Sequence, residues 1–221
     1  MLPERLTSID ETNREHHAFL EQGDRCFFFG EYFAYKGYQG GGTNQLIFNF
    51  KCKPSVAATN PGRRRYKEQA IEFVAAGLRR AMTEADAESM TWVPVPPSKV
   101  AGHADYDDRL MRTLAKAFSG YNVDVRSLLR QSMSTEADHN SGSRLTPDAL
   151  HALMELDIAQ LNALPVGQAI VLFDDVLTTG KHFKCCERRL REVVPANVSV
   201  LGVFIARRIL PDATAEFEDI S

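Results

Sequence analysis

The chain has 221 residues, 44% of them hydrophobic and 25% charged, and a formal net charge of −3. That length suits one compact domain with a substantial apolar core and requires no disulfide support. No apolar run approaches a bilayer span, and 26 Lys and Arg against 29 Asp and Glu give no global field toward nucleic acid or anionic lipid.

The amino terminus mixes Glu4, Arg5 and Asp10 with isolated apolar residues, unlike the continuous stretch of a secretory signal, so a cytoplasmic location is the expectation. The cysteines Cys26, Cys52, Cys185 and Cys186 show no C-x-x-C spacing and read as reduced, structural thiols. Cys26 to Tyr38 and Gln45 to Phe50 are rich in aromatic and branched residues around Gly37, Gly40, Gly41 and Gly42. Two strands about a glycine-rich turn are predicted, a small β-rich subdomain over residues 1–60. Pro54, Asn60, Pro61 and Gly62 read as a connector, with the core expected over residues 61–221.

Ile71, Val74, Ala75, Leu78 and Met82 recur at helical spacing, which predicts an amphipathic helix over 66–82. Thr91 to Val95 reads as a buried strand, followed by a helix with Asp105 as N-cap. A strand near Val123 to Leu129, a polar loop from Gln131 to Arg144 and a helix capped by Thr146 with Pro147 at its first position come next. Gln168 to Phe173 reads as another strand, then a helix ending near Pro195 and a strand from Val198 to Ala206. This alternation predicts an α/β protein with a twisted, mainly parallel sheet and helices on both faces, its ligand beyond the carboxyl ends of the strands.

The most informative stretch runs from Ile170 to His182. An apolar strand ends on two carboxylates, Asp174 and Asp175, and a short turn presents hydroxyls and backbone amides at a helix start. Carboxylates accept strongly from vicinal sugar hydroxyls, and a helix N-terminus favours a phosphate. Alone, Asp-Asp is also a common turn and Thr-Thr-Gly a common cap. The whole string resembles the phosphoribosyl pyrophosphate binding motif of type I phosphoribosyltransferases, which runs apolar strand, two acids, two variable residues, Thr-Thr-Gly. A weaker likeness joins Asn44-Gln45-Leu46-Ile47, Lys51 and Val93-Pro94-Val95-Pro96 to ComF-like members of that family. The zinc ribbon common in those proteins has no counterpart here.

The resemblance implies a type I phosphoribosyltransferase-like core with the amino-terminal region as a hood. Asp174 and Asp175 would be the catalytic pair on the ribose hydroxyls and the protein's share of a magnesium site, directly or through water. Val176, Leu177, Thr178, Thr179, Gly180, Lys181 and His182 would surround the 5-phosphate, with His182 standing where the family usually has Thr or Ser. Pro97, Ser98 and Lys99 occupy the place of the pyrophosphate loop, and His139 and Arg144 that of a mobile flap. The implied reaction transfers ribose-5-phosphate from phosphoribosyl pyrophosphate (PRPP) to a nitrogenous base. The alternative is a catalytically silent module that binds PRPP or a nucleotide and acts through a protein partner in DNA uptake or defence. A homodimer stays open.

Four further features have ordinary readings. Arg109 reads as a helix-surface ion pair or an anion contact. Arg63, Arg64 and Arg65 read as a solvated loop, and Arg207 and Arg208 as strand-end surface residues near the ligand edge. The aromatics from Phe27 to Tyr35 read as packing.

Overall fold

The computed structural model describes residues 5–135 and 145–210. In chain order its elements begin with β1 (Thr7–Ser8), β2 (Arg25–Phe33), α1 (Gly42–Phe50), α2 (Pro54–Thr59), α3 (Pro61–Arg80) and α4 (Glu84–Glu88). They continue with β3 (Met90–Pro94), α5 (Arg109–Ala117), β4 (Asp124–Val125), β5 (Leu129–Gln131) and α6 (Pro147–Leu153). The last five are β6 (Met154–Leu156), α7 (Ile158–Ala163), β7 (Ala169–Leu177), α8 (Lys181–Arg191) and β8 (Ser199–Ile209).

Six strands form one mostly parallel sheet in the order β1-β2-β8-β7-β3-β4, with β1 antiparallel at the edge. β5 and β6 make a separate antiparallel pair. Ala169 to Phe173 is buried without interruption, as a strand covered on both faces must be. The chain leaves β3 through α5 toward β4, and leaves β7 through α8 toward β8, in the opposite direction across the sheet. Right-handed crossovers therefore put α5 and α8 on opposite faces and open a crevice between the carboxyl ends of β3 and β7. Phe183 of α8 packs edge-on against Phe204 of β8, and α5 packs against α3.

The amino-terminal region departs from the hairpin expected over residues 1–60. β2 is a strand of the main sheet, parallel to β8 from Arg25 opposite Leu201 to Phe33 opposite Ile209. Gln45 to Phe50 lies in a helix, not a strand. Asn44, Ile47 and Phe50 are its buried residues, a spacing of three that only a helix brings to one face. A short apolar run suits either period, and here packing against α3 decides it. The presumed connector is helical as well: Pro54 and Pro61 each open a helix, where a missing N–H costs nothing, and Asn60 caps α3 by accepting from the Arg63 N–H at 3.0 Å.

Other expectations stand closer to the molecule. Thr146 accepts from the Ala149 N–H at 3.2 Å with Pro147 opening α6. All four cysteines are free and buried. Asp105 does not cap α5, which begins at Arg109; it accepts from the Ser55 N–H at 3.1 Å in the first turn of α2. Among the described residues no helix is long and apolar enough to cross a membrane.

Candidate functional site

A cleft of about 450 Å³ opens where β3 and β7 end. From β7 and its turn it is lined by Asp174, Asp175, Val176, Thr178, Thr179, Lys181 and His182. Pro97, Ser98 and Lys99 face them from the loop after β3. Leu177 is 1% exposed and turns into the core, and Gly180 lies outside the lining with Leu20 against it. His139 and Arg144 fall outside the described residues.

The cleft also takes residues that the sequence did not assign to the site. Phe19, from the segment between β1 and β2, lines it, as do Lys51 and Lys53 beyond α1, and Leu145, Pro147 and Arg208. Nothing periodic marks Phe19, whose place follows from where the chain crosses the turn after β7.

Asp174 and Asp175 sit in different surroundings. Asp175 is 4% exposed and clamped between two cations, Lys51 at 3.0 Å and the Arg109 guanidinium. Arg109 in turn donates to Asp107 at 2.8 Å, and Asp107 accepts from Lys67 at 2.7 Å. Lys67 is buried and spends its remaining donors on the carbonyls of Cys52 at 2.7 Å and Phe50 at 3.2 Å. A chain of five alternating charges, exposed at its Lys51 end and otherwise largely buried, thus ties the end of α1, α3, the start of α5 and the end of β7 together. Arg109 belongs to this interior chain, its plane also over the Phe50 ring at 5.6 Å, and not to a helix surface.

The electrostatics follow from that wiring. Burial works against the charge on Asp175, yet Lys51 and Arg109 overcome it and hold the carboxyl well below the usual carboxylate range. Burial likewise opposes the Arg109 charge, and Asp175 and Asp107 more than restore it. Asp174 is half-buried, and among the described residues its hydrogen-bond donor is the Asp175 N–H, at 2.7 Å to Oδ1. Burial and the neighbouring Asp175 charge push its carboxyl up to about 7. One acid is fully spoken for, and the other faces the cleft with acceptor capacity to spare.

At the other end of the turn, Gly180 adopts φ +82° and starts α8. The amides of the first helical turn have no intrahelical acceptors and carry the positive end of the helix dipole. Lys181 is buried and donates to the Leu145 carbonyl at 3.0 Å, which draws its charge beneath the cleft wall. Across the cleft the loop carrying Ser98 is held by the Thr135 N–H, donating to the Ser98 carbonyl at 2.8 Å. The cleft therefore has an acceptor-bearing floor at Asp174, amide donors at the α8 start, and lysines at Lys51, Lys53 and Lys99 on its walls.

No protein-family model matches the chain, and no curated protein matches it either.

Proposed function

We propose that this cleft binds PRPP and that the protein transfers its ribose-5-phosphate to a nitrogenous base, releasing pyrophosphate. The observation that carries the reading is the two-ended cleft at the switch point of the sheet. Asp174 is a free acceptor for the ribose diol at the end of β7, and the amides and hydroxyls of Thr178 and Thr179 lead into α8 within the same wall. A sugar carrying a vicinal diol and a terminal phosphate matches that order of groups. Lys99, with Pro97 and Ser98, faces the place where the pyrophosphate at the sugar's first carbon would lie.

In the reaction, the bond from that carbon to the pyrophosphate oxygen breaks, and the oxygen keeps the electron pair. A nitrogen lone pair forms the new bond, and the proton the nitrogen gives up passes to the departing pyrophosphate. No covalent enzyme intermediate is needed. The residues hold the sugar by its two ends and set Lys99 against the departing charge, so the rate gain comes from positioning and electrostatics. Magnesium, when bound, would offset the pyrophosphate charge. The residues fit such an ion in one way: Asp175 is engaged by Lys51 and Arg109, which leaves Asp174 as the carboxylate to hold it, directly or through water. Among the described residues no three His, Cys, Asp or Glu side chains gather as a metal cage. A small hard cation that keeps waters and takes its other ligands from the substrate needs no such cage.

The clamped state of Asp175 favours a second reading, a module that binds PRPP or a nucleotide without turnover and signals through a partner. One experiment separates the two. The protein is titrated with PRPP and magnesium by calorimetry, then assayed for pyrophosphate release with a panel of purine, pyrimidine and pyridine bases. Binding with release on one base supports the transferase. Binding without release on any base supports the module, and absence of binding contradicts both.

A further inference from the structure

The turn that follows β7 is held from behind by the segment between β1 and β2. The His17 ring is fully buried, and its Nδ1–H donates to the Thr178 carbonyl. A carbonyl can only accept, so the Nδ1–H tautomer is fixed. Two residues on, the Phe19 N–H donates to the Thr179 carbonyl at 2.9 Å. Leu20 then packs so closely on Gly180 that a Cβ there would lie 2.7 Å from its side chain.

These contacts have a directional consequence. In a trans peptide the C=O and the following N–H point opposite ways, and none of the described peptides is cis. Holding the carbonyls of Thr178 and Thr179 on His17 and Phe19 therefore turns the amides of Thr179 and Gly180 the other way, away from those two partners. The segment is itself braced for this. The His17 N–H donates to the Arg14 carbonyl at 2.8 Å and the Leu20 N–H to the His17 carbonyl at 2.8 Å. Its far end is tied to α8 by the ion pair of Asp24 with Lys184 at 2.7 Å.

We infer that His17 to Leu20 form a strap that sets the anion-binding amides of the β7–α8 turn, with His17 and Phe19 as positioning residues for the phosphate end of the ligand. The inference rests on the sugar-phosphate reading of the cleft. It adds that the phosphate grip is built by residues more than 150 positions upstream, which hold the turn by the carbonyls of Thr178 and Thr179 and by the packing of Leu20 on Gly180.

The test uses the full chain and three probes, ribose 5-phosphate, inorganic phosphate and pyrophosphate, each titrated by calorimetry, with a thermal melt on every variant. His17→Phe keeps a buried ring and removes the donor. It should bind ribose 5-phosphate and inorganic phosphate about tenfold more weakly while pyrophosphate binding holds. His17→Asn places an amide N–H near the Nδ1 position and should restore both. Phe19→Pro removes the second donor from a partly exposed site and should reproduce the loss if His17→Phe does not fold. Wild-type affinity in both His17→Phe and Phe19→Pro, or an equal loss for all three probes, overturns the strap. A wild-type protein that binds inorganic phosphate but not ribose 5-phosphate overturns the sugar reading alone, since the phosphate arm still decides the strap. One that binds neither overturns both.

Discussion

Asp174 and Asp175 leave one strand in succession, so their side chains alternate, and only the second meets Lys51 and Arg109. Asp175→Asn keeps the shape and removes the charge that both cations face. The cost should be about 3–5 kcal/mol, because Arg109 is left buried and under-compensated. A urea titration with an unchanged slope and a lower midpoint is the expected result. His17 gives a pH signature of its own. Burial lowers its pKa from 6.5 to about 4, against the bond to Thr178, so the folded protein stays neutral where the unfolded chain takes up a proton. Stability present above pH 6.5 is therefore lost as pH falls toward 4, by up to about 3 kcal/mol. Relative to wild type, His17→Asn should gain stability across that window when melts at pH 7 and pH 4.5 are compared. The paired acids and the Thr-Thr-Gly string were readable because they are contiguous. His17 was not, since its partner lies 161 residues away and no local pattern marks it.

At the scale of elements, the helix starts show what local chemistry can and cannot reveal. Thr146 with Pro147 announces α6 because cap and first residue are adjacent in sequence. Asp105 looks like a similar signal for α5, yet its carboxylate serves the first turn of α2 instead. The start of α8 depends on Gly180, which combines φ +82° with close contact to Leu20. Gly180→Ala meets both obstacles, a strained backbone and a Cβ with no room. It should cost about 1–3 kcal/mol and weaken phosphate binding with it. An alanine variant with the wild-type melting temperature would show that the turn can open without loss. The glycine-rich stretch from Gly37 to Gly42 misleads for the opposite reason: it precedes a helix whose buried face, Asn44, Ile47 and Phe50, emerges only when α3 is packed against it.

For the whole molecule, the alternation of strands and helices was legible around the buried strands β3 and β7, each followed by an amphipathic helix, α5 and α8. The place of β2 was not legible, because a parallel partner is chosen across the sheet and β8 lies about 170 residues away. That placement puts β2 in the core: Cys26, Phe28 and Phe29 are each at most 5% exposed. A chain beginning at residue 61 would bare the edge of β8 along with the apolar surface these residues cover. It should lose its cooperative thermal transition and associate, as read by calorimetry and size-exclusion chromatography. A monomer with a sharp transition would mark residues 61–221 as self-sufficient.

In the proposed binding mode the cleft between β3 and β7 holds a phosphorylated sugar with its diol on Asp174 and its phosphate at the start of α8. Calorimetric titration of ribose 5-phosphate and 2-deoxyribose 5-phosphate into the wild-type and Asp174→Ala proteins tests this most directly. Wild type should prefer the ribose form by about tenfold, and Asp174→Ala should erase the preference while still binding both. Equal affinity for the two sugars in wild type, or a preference that survives in Asp174→Ala, would contradict it.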